Sequence, residues 1–370
     1  MEDERSAKLS LRLRERIERE GAISFHDWME AALYDPQDGY YRLSGLERWG
    51  RAGDYRTSPE RSPLFAATFA RFFAALYDEL GRPPHWTILE SGAGAGHFAQ
   101  GVLETLARTN PTVFSATRYV IDDTSPSARA LASERLAPFA SRVKYATLSD
   151  SAAESEAGII FANELLDAFP VHRVTIRGGR LRELFVETCD TGDFVWTERD
   201  PSTPLIADYL ERLNVELEEG QVADINLFAV DWLKRAAMIF KRGYVILVDY
   251  GAEAGDLYDK SLRPRGSLRA IHSHRHMENV LSGPGLYDLT TTIDWTTVKR
   301  VCLEAGLEIV TFERQDRFLL GAGLLEELAR MTAGAGTGAA SLDLSATARE
   351  MVLPGGMSES FQVLVARRAL

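Results

Sequence analysis

Two groups of residues in this chain have the types and spacing to do chemistry. The first is Glu90-Ser91-Gly92-Ala93-Gly94-Ala95-Gly96, an acid followed by three alternating glycines. Glycine tolerates positive φ and lets a ligand approach the backbone, and the free N–H groups of a helix that follows would face that ligand. The second is Asn163-Glu164-Leu165-Leu166-Asp167, an amide and two acids within five residues. Carboxylates so placed can orient a cationic group, polarise it and take its proton; equally, they could be an ordinary acidic helix start favoured by the dipole.

The elements around these groups say where they sit. Trp86 to Leu89 has the β-branched and apolar make-up of a buried strand, and Phe98 to Ala107 has helical periodicity, which places the glycines in a strand-to-helix turn. Residues 118 to 123 read as a second strand ending in Asp122 and Asp123, and an acid at that end suits a ribose diol. A helix from Ser125 to Leu136 follows, then strands over 143 to 148, 158 to 163, 244 to 251, 307 to 312 and 361 to 366. Alternating strands and helices with acids at strand ends predict an α/β, doubly wound, mostly parallel Rossmann-like sheet whose ligands bind at the carboxyl ends of its strands. The expected division is an N-terminal helical and lid region over 1–85 and a sheet domain over 86–370 with insertions about 171–240 and 252–294.

The ligand can be narrowed by charge. Gly94-Ala95-Gly96-His97-Phe98-Ala99 satisfies the loosest form of the dinucleotide fingerprint. Glu90 immediately before the glycines would repel a pyrophosphate, whereas it would attract the ammonium and sulfonium of S-adenosylmethionine. Acid-x-Gly-x-Gly-x-Gly resembles the first motif of class I methyltransferases. The expectation is a cofactor site of Glu90, Gly92, Gly94, Gly96 and Asp123.

In the flanking regions, Ser6 to Glu20 reads as a charged, solvated helix ended by Gly21, with Arg14–Glu18 and Glu15–Arg19 pairs one turn apart. A second helix starts at Ser24 with Asp27 three residues on and an apolar face of Phe25, Trp28, Met29, Ala32 and Leu33. The non-periodic segments Tyr34 to Glu60 and Ala252 to Asp294 are expected to fold over the site as lids. Gly178-Gly179 between alternating segments signals a hairpin. Pro204 to Leu217 and Ile225 to Phe240 read as helices, and the Ala-, Gly-, Ser- and Thr-rich stretch Thr332 to Thr347 as a flexible connection.

Composition excludes other classes. With 42 Lys and Arg against 54 Asp and Glu, the net charge of −12 disfavours a nucleic-acid partner. Two cysteines, Cys189 and Cys302, offer neither a metal spacing nor a disulfide framework, so no metal is expected and a reducing, cytoplasmic setting fits. No apolar run approaches the roughly 20 residues that span a bilayer. A homodimer is compatible with all of this.

Taken together, the motifs resemble the MidA family, whose mitochondrial members are arginine methyltransferases assisting respiratory complex I assembly. The resemblance rests on Ala32-Leu33-Tyr34-Asp35-Pro36, Gly39-Tyr40-Tyr41, Gly53-Asp54-Tyr55 with Thr57-Ser58-Pro59-Glu60, the Glu90 loop, and Asp123-Thr124-Ser125-Pro126. It continues through Ala162 to Val171, Val248-Asp249-Tyr250-Gly251, Ser267-Leu268-Arg269-Ala270, His274-Arg275 and Asp288-Leu289-Thr290 with Asp294-Trp295. It implies that Asp54, Thr57 and Pro59 join the cofactor site. It also implies that Glu164, Asp167, Asn163 and His274 serve catalysis, and that the acceptor is a protein arginine, for instance on a respiratory-complex subunit. Ala93 and Ala95 stand where the family commonly has proline and arginine, and Thr292 where histidine is usual. These departures favour the alternative of a small-molecule O- or N-acceptor, and a non-catalytic cofactor-binding assembly factor is the third reading.

Overall fold

The computed structural model describes residues 2–42, 62–148, 150, 156–272, 275–335, 338–353 and 360–368. Eight segments build the central sheet: seven lie side by side, β1 (Trp86–Ser91), β2 (Thr117–Asp122), β3 (Val143–Tyr145), β4 (Ala157–Asn163), β5 (Arg242–Ala252), β6 (Glu308–Arg314) and β7 (Phe361–Arg368), and the short Ile293–Asp294 pairs parallel with the end of β5. Their order is β6-β7-β5-β4-β1-β2-β3. Only β7 runs against its neighbours, pairing antiparallel with both β5 and β6. Strands β1, β4 and β5 are almost continuously buried, as expected of a parallel sheet covered on both faces.

One face is covered by helices Pro63–Glu79 and His97–Thr109, which bring Phe65, Phe69, Phe73 and Phe98 onto Phe161 of β4. The rings of Phe98 and Phe161 stack at 4.2 Å and 7°, so the helix after the glycine loop is held firmly on the sheet. The other face is covered by Leu227–Ala237 and Trp295–Glu304, packed on Leu89, Val120, Ile160 and Leu247. The order and the two helical layers make this the α/β Rossmann-like fold expected from sequence.

Between β4 and β5 a second, five-stranded sheet is inserted. Its hairpin His172–Arg177 and Arg180–Thr188 turns at Gly178-Gly179, with φ of 58° and 71°, the paired left-handed conformation of a tight hairpin. Phe194–Arg199 and Val222–Ile225 extend it. The N-terminus joins this sheet through Ile23–Ser24, where Ile23 pairs with Val186. Ser24 caps the next helix, accepting the Asp27 N–H at 3.1 Å, and all five predicted apolar residues of Phe25–Tyr34 are buried.

Four expectations need correction. The segment from Ile225 begins as a strand, Val222–Ile225, with the helix starting only at Leu227. Ala252 to Asp294 is not a plain loop: Arg269–His272, Arg275–His276 and Asp288–Thr290 form a small antiparallel sheet. Residues 332–335 and 339–347 of the expected flexible connection lie in two helices, Leu324–Ala335 and Ala339–Val352, the second of which buries Ala348 and Met351 against the core. The first helix, Glu2–Glu20, is amphipathic rather than solvated all round. Leu9, Leu13 and Ile17 are buried, Arg12 bridges Asp35 and Asp38 at 2.8 and 2.9 Å, and Arg14 turns to the Gly192 carbonyl instead of Glu18. Among the described residues, no helix is long and apolar enough to cross a membrane.

Candidate active site

A cavity of about 520 Å³ opens across the carboxyl ends of β5, β4, β1, β2 and β3, within the usual range for small-ligand sites. Its floor is the glycine turn. Gly92, Gly94 and Gly96 all have left-handed φ, at 72°, 53° and 78°. A Cβ at Gly92 would meet Leu165 Cδ1 at 3.0 Å, and one at Gly96 would meet Ala132 Cβ at 3.1 Å, so backbone geometry and space both require glycine here. Arg135 donates to the Ala95 carbonyl and fastens the outer side of the turn.

Glu90, the last residue but one of β1, is 5% exposed and lines the cavity. The Tyr119 hydroxyl donates to its Oε2 at 2.6 Å. Burial, with a smaller push from Asp123 and an opposing pull from Tyr119, raises the Glu90 carboxyl to about 8. At the end of β2, Ser91 Oγ donates to Asp122, and burial raises that carboxyl to about 6. Asp123 accepts the Gly94 N–H at 2.8 Å and the Ser125 N–H at 2.7 Å, tying the first turn to the second strand end. Thr147 and Leu148 close this side beyond β3.

The crossover helix Leu227–Ala237 supplies a wall that sequence reading missed. Phe228, Trp232 and Arg235 line the cavity from one helical face, and Phe169 packs between the first two at centroid distances of 4.8 and 6.3 Å. The i, i+4, i+7 spacing of these three was the available signal.

At the other end, the turn after β4 brings the second acidic group together. Glu164 sits at φ 52°, an uncommon conformation for a side-chain-bearing residue, with its N–H held by the Val248 carbonyl at 2.9 Å. Asn163 Nδ2 donates to Glu164 Oε1 at 2.9 Å. Asp167 is 4% exposed; Tyr250, at the end of β5, donates its hydroxyl to Asp167 Oδ2. Burial raises the Asp167 carboxyl above the ordinary range, opposed by that hydrogen bond and by the Arg269 guanidinium, which lies 4.5 Å over the Tyr250 ring. The N–H groups of Asp167 and Ala168 also favour its charge. Neither Asn163 Oδ1 nor Asp167 Oδ1, both buried, has a hydrogen-bond partner of good geometry among the described residues. Asp249 is buried beside this pair and accepts the Leu166 and Tyr250 N–H groups. Burial and then the charges of Asp167 and Glu164 drive its carboxyl well upward.

The roof over this end comes from Tyr34 and Tyr41 of the N-terminal region and from Ile271, Asp288 and Thr290 of the small sheet. Tyr41 donates to Asp288 at 2.6 Å and Tyr34 to the Ala168 carbonyl at 3.0 Å, joining the two roof segments across the turn. Glu30 stands at the rim. The structure thus gathers Glu90, Gly92, Gly94, Asp123, Asn163, Glu164 and Asp167 around one cavity, with Gly96 shaping the turn beneath. Asp54, Thr57, Pro59 and His274 lie outside the described residues. Thr292 is not part of the lining; it accepts from Arg263 at 3.2 Å. Trp295 and Tyr40 are packing residues, fully buried.

The residues fit S-adenosylmethionine: a buried acid with one neutral partner for a cation, a glycine cradle, and acids at the neighbouring strand end. Comparison with known proteins agrees. A family profile described as "Putative S-adenosyl-L-methionine-dependent methyltransferase" matches residues 68–313. The chain is similar to the mitochondrial protein arginine methyltransferase NDUFAF7 homologue of Drosophila melanogaster, at 23% identity over 80% of this chain and 70% of that one. The Caenorhabditis elegans homologue of the same name is 24% identical over 89% and 79%. A crystal structure from Burkholderia thailandensis, bound to S-adenosyl-homocysteine, superposes with a TM-score of 0.86 at 30% identity, covering 98% of this chain and 92% of that one. With fold, cavity and motifs in agreement, the chain belongs to this family of S-adenosylmethionine-dependent methyltransferases and is a divergent, MidA-like member of it.

Proposed function

We propose that the chain methylates an arginine side chain of a protein, and that Asn163, Glu164 and Asp167 hold the acceptor. The observation that carries this reading is the pair of buried acceptor oxygens, Asn163 Oδ1 and Asp167 Oδ1, with no hydrogen-bond partner of good geometry among the described residues, in a cavity end also lined by Glu164 and Asp288. A buried acceptor without a donor is costly, by about 1–3 kcal/mol each, so the group that belongs there brings at least two N–H donors. A guanidinium does, and its positive charge suits the acids; a phenolate or carboxylate acceptor would add charge of the wrong sign. The relatives named as protein arginine methyltransferases support the same choice.

When bound, S-adenosylmethionine supplies an electrophilic methyl group. In our reading Glu90 holds its ammonium, the turn of Gly92, Gly94 and Gly96 accommodates its backbone-hugging portion, and Asp123 offers acceptors to its ribose. Asn163 and Asp167 orient the guanidinium so that one nitrogen faces the donor side of the cavity, which converts an encounter into a positioned displacement. As that nitrogen forms its bond to carbon it must lose a proton, and Asp167 takes it. A carboxyl raised toward neutrality by burial, yet kept ionised by Tyr250 and Arg269, has the basicity for that task. The roof made by Tyr34, Tyr41 and the small sheet excludes water from this end.

The test is transfer of labelled methyl from the cofactor into a host lysate by wild type, Glu164→Gln and Asp167→Asn. Label in protein arginine, lost by at least about a hundredfold in Asp167→Asn with S-adenosylhomocysteine affinity retained, is expected. Label confined to the small-molecule fraction would replace this reading with a small-molecule acceptor. Absence of label with intact cofactor binding would favour an assembly factor.

A further inference from the structure

Tyr119 lies on β2, in register with Ile88 and two residues before Ile121, which stands opposite Glu90. Its ring is fully buried, away from solvent and outside the cavity lining, and its hydroxyl meets Glu90 Oε2 at 2.6 Å. A buried tyrosine hydroxyl needs a partner, but a backbone carbonyl would have served. Here the partner is the one acid that lines the cavity at the end of β1.

The groups facing Glu90 are few. From β2 come the Tyr119 hydroxyl and, as a like charge, Asp123. His97 opens the helix beyond the turn, and burial followed by Arg135 pushes its imidazole down to about 4, so it is neutral and gives no charge to the acid. No Lys, Arg or His makes an ion pair with Glu90 among the described residues. A carboxyl buried with one neutral donor, one neighbouring acid and no cation retains its proton at neutral pH.

We propose that Tyr119 is a positioning residue for the cofactor site: it fixes Glu90 by one oxygen, presents the other oxygen to the cavity, and links arrival of a cationic ligand to loss of one proton from Glu90. In the free protein Glu90 is the neutral acid, with Tyr119 steadying its side chain. When an ammonium group takes its place beside Glu90, the carboxyl O–H bond breaks, the proton leaves to solvent, and the carboxylate is shared between the ligand and the phenol O–H. The phenol favours the ionised form, so it lowers the cost of that ionisation and keeps the acid from turning away. This rests on the assignment of Glu90 to the ammonium made above.

The experiment is calorimetric titration of the whole chain with S-adenosylhomocysteine from pH 6 to pH 8.5, repeated at pH 7 in two buffers of different ionisation enthalpy. Wild type is expected to gain about tenfold in affinity per pH unit up to about pH 8, then level off, and to release close to one proton at pH 7. Tyr119→Phe keeps the ring and its packing; its levelling point should move up by about one unit and its affinity at pH 7 should fall about tenfold. Glu90→Gln should bind weakly, with no pH dependence and no proton release. If Tyr119→Phe weakens binding by one factor at every pH, the tyrosine only supports the fold and the proposal is overturned. Binding by wild type that is independent of pH would overturn the link while leaving the cofactor site intact; no binding by wild type at any pH would remove both.

Discussion

Glu90→Gln is expected to make the free protein more resistant to unfolding as the pH is raised, although it damages the cofactor site. The Glu90 carboxyl stands at about 8 in the folded chain against an ordinary 4.5, because it is buried. In the unfolded chain it ionises above 4.5, while in the folded chain it holds its proton until about 8. Between these values the folded state binds the extra proton, so this residue's contribution to stability is lost as pH rises through that window. At pH 7 the penalty is about 3 kcal/mol, at 1.36 kcal/mol per unit. Glutamine cannot ionise, and its amide oxygen can still accept from Tyr119, but its NH2 enters a buried site at a cost of about 1–3 kcal/mol. The absolute change at one pH is therefore small, and the slope is the decisive quantity. Thermal unfolding of both proteins at pH 5, 6, 7 and 8 should show the variant gaining on wild type by about 3 kcal/mol over this range, on the order of 5 °C in midpoint. Unfolding curves that run parallel across pH would refute the reasoning.

Three further outcomes follow from the same geometry. Gly94→Val forces a β-branched residue to φ 53° in the cofactor turn; S-adenosylhomocysteine binding should be lost in calorimetry while the circular dichroism spectrum is kept. Tyr250→Phe removes the hydroxyl that favours ionised Asp167, so the acid limb of the kcat/KM profile should shift upward by about one unit with little change in cofactor affinity; an unmoved limb would count against Asp167 as the base. Asp224 bridges Arg173 at 3.0 Å and accepts the Ser267 and Leu268 N–H groups that start the small roof sheet. Asp224→Ala should cost about 3–5 kcal/mol in urea unfolding, since it leaves two N–H groups unpaired and the Arg173 guanidinium with only the Arg265 carbonyl and the Trp196 ring.

How much of this was legible in sequence depends on what each signal measures. Trp86 to Ser91, Ala157 to Asn163 and Arg242 to Ala252 are buried on both faces, and such strands announce themselves as continuous apolar runs. Ser24 with Asp27, and Gly178 with Gly179, are local devices whose geometry needs no tertiary partner. Val222–Ile225 was hidden because it runs into a helical pattern after one residue, and only its pairing with His172–Arg177 makes it a strand. The roof strands are two to four residues long, too short for periodicity, and are held by Asp224 and Tyr41 from distant parts of the chain. Thr332 to Thr347 reads as flexible from its small residues, yet alanine is also the best helix former, and contact with the core decides the matter. At the site, the residue types of Glu90, Asn163, Glu164 and Asp167 were readable; the left-handed backbone of Glu164, the tie from Tyr119 and the aromatic wall of Phe228 and Trp232 arise from packing between elements.

The central claim is that the acidic, donor-hungry end of this cavity takes a guanidinium. It is tested most directly by identifying the atom that receives the methyl group: the protein is incubated with isotopically labelled S-adenosylmethionine and host protein, and labelled peptides are fragmented by tandem mass spectrometry. The expected result is label on an arginine Nη or Nε, absent with Asp167→Asn. Label on a carboxylate or a hydroxyl of the substrate would contradict the account, because neither brings the positive charge and paired N–H donors that suit Asn163 Oδ1 and Asp167 Oδ1; label on a lysine would keep the cation but contradict the guanidinium.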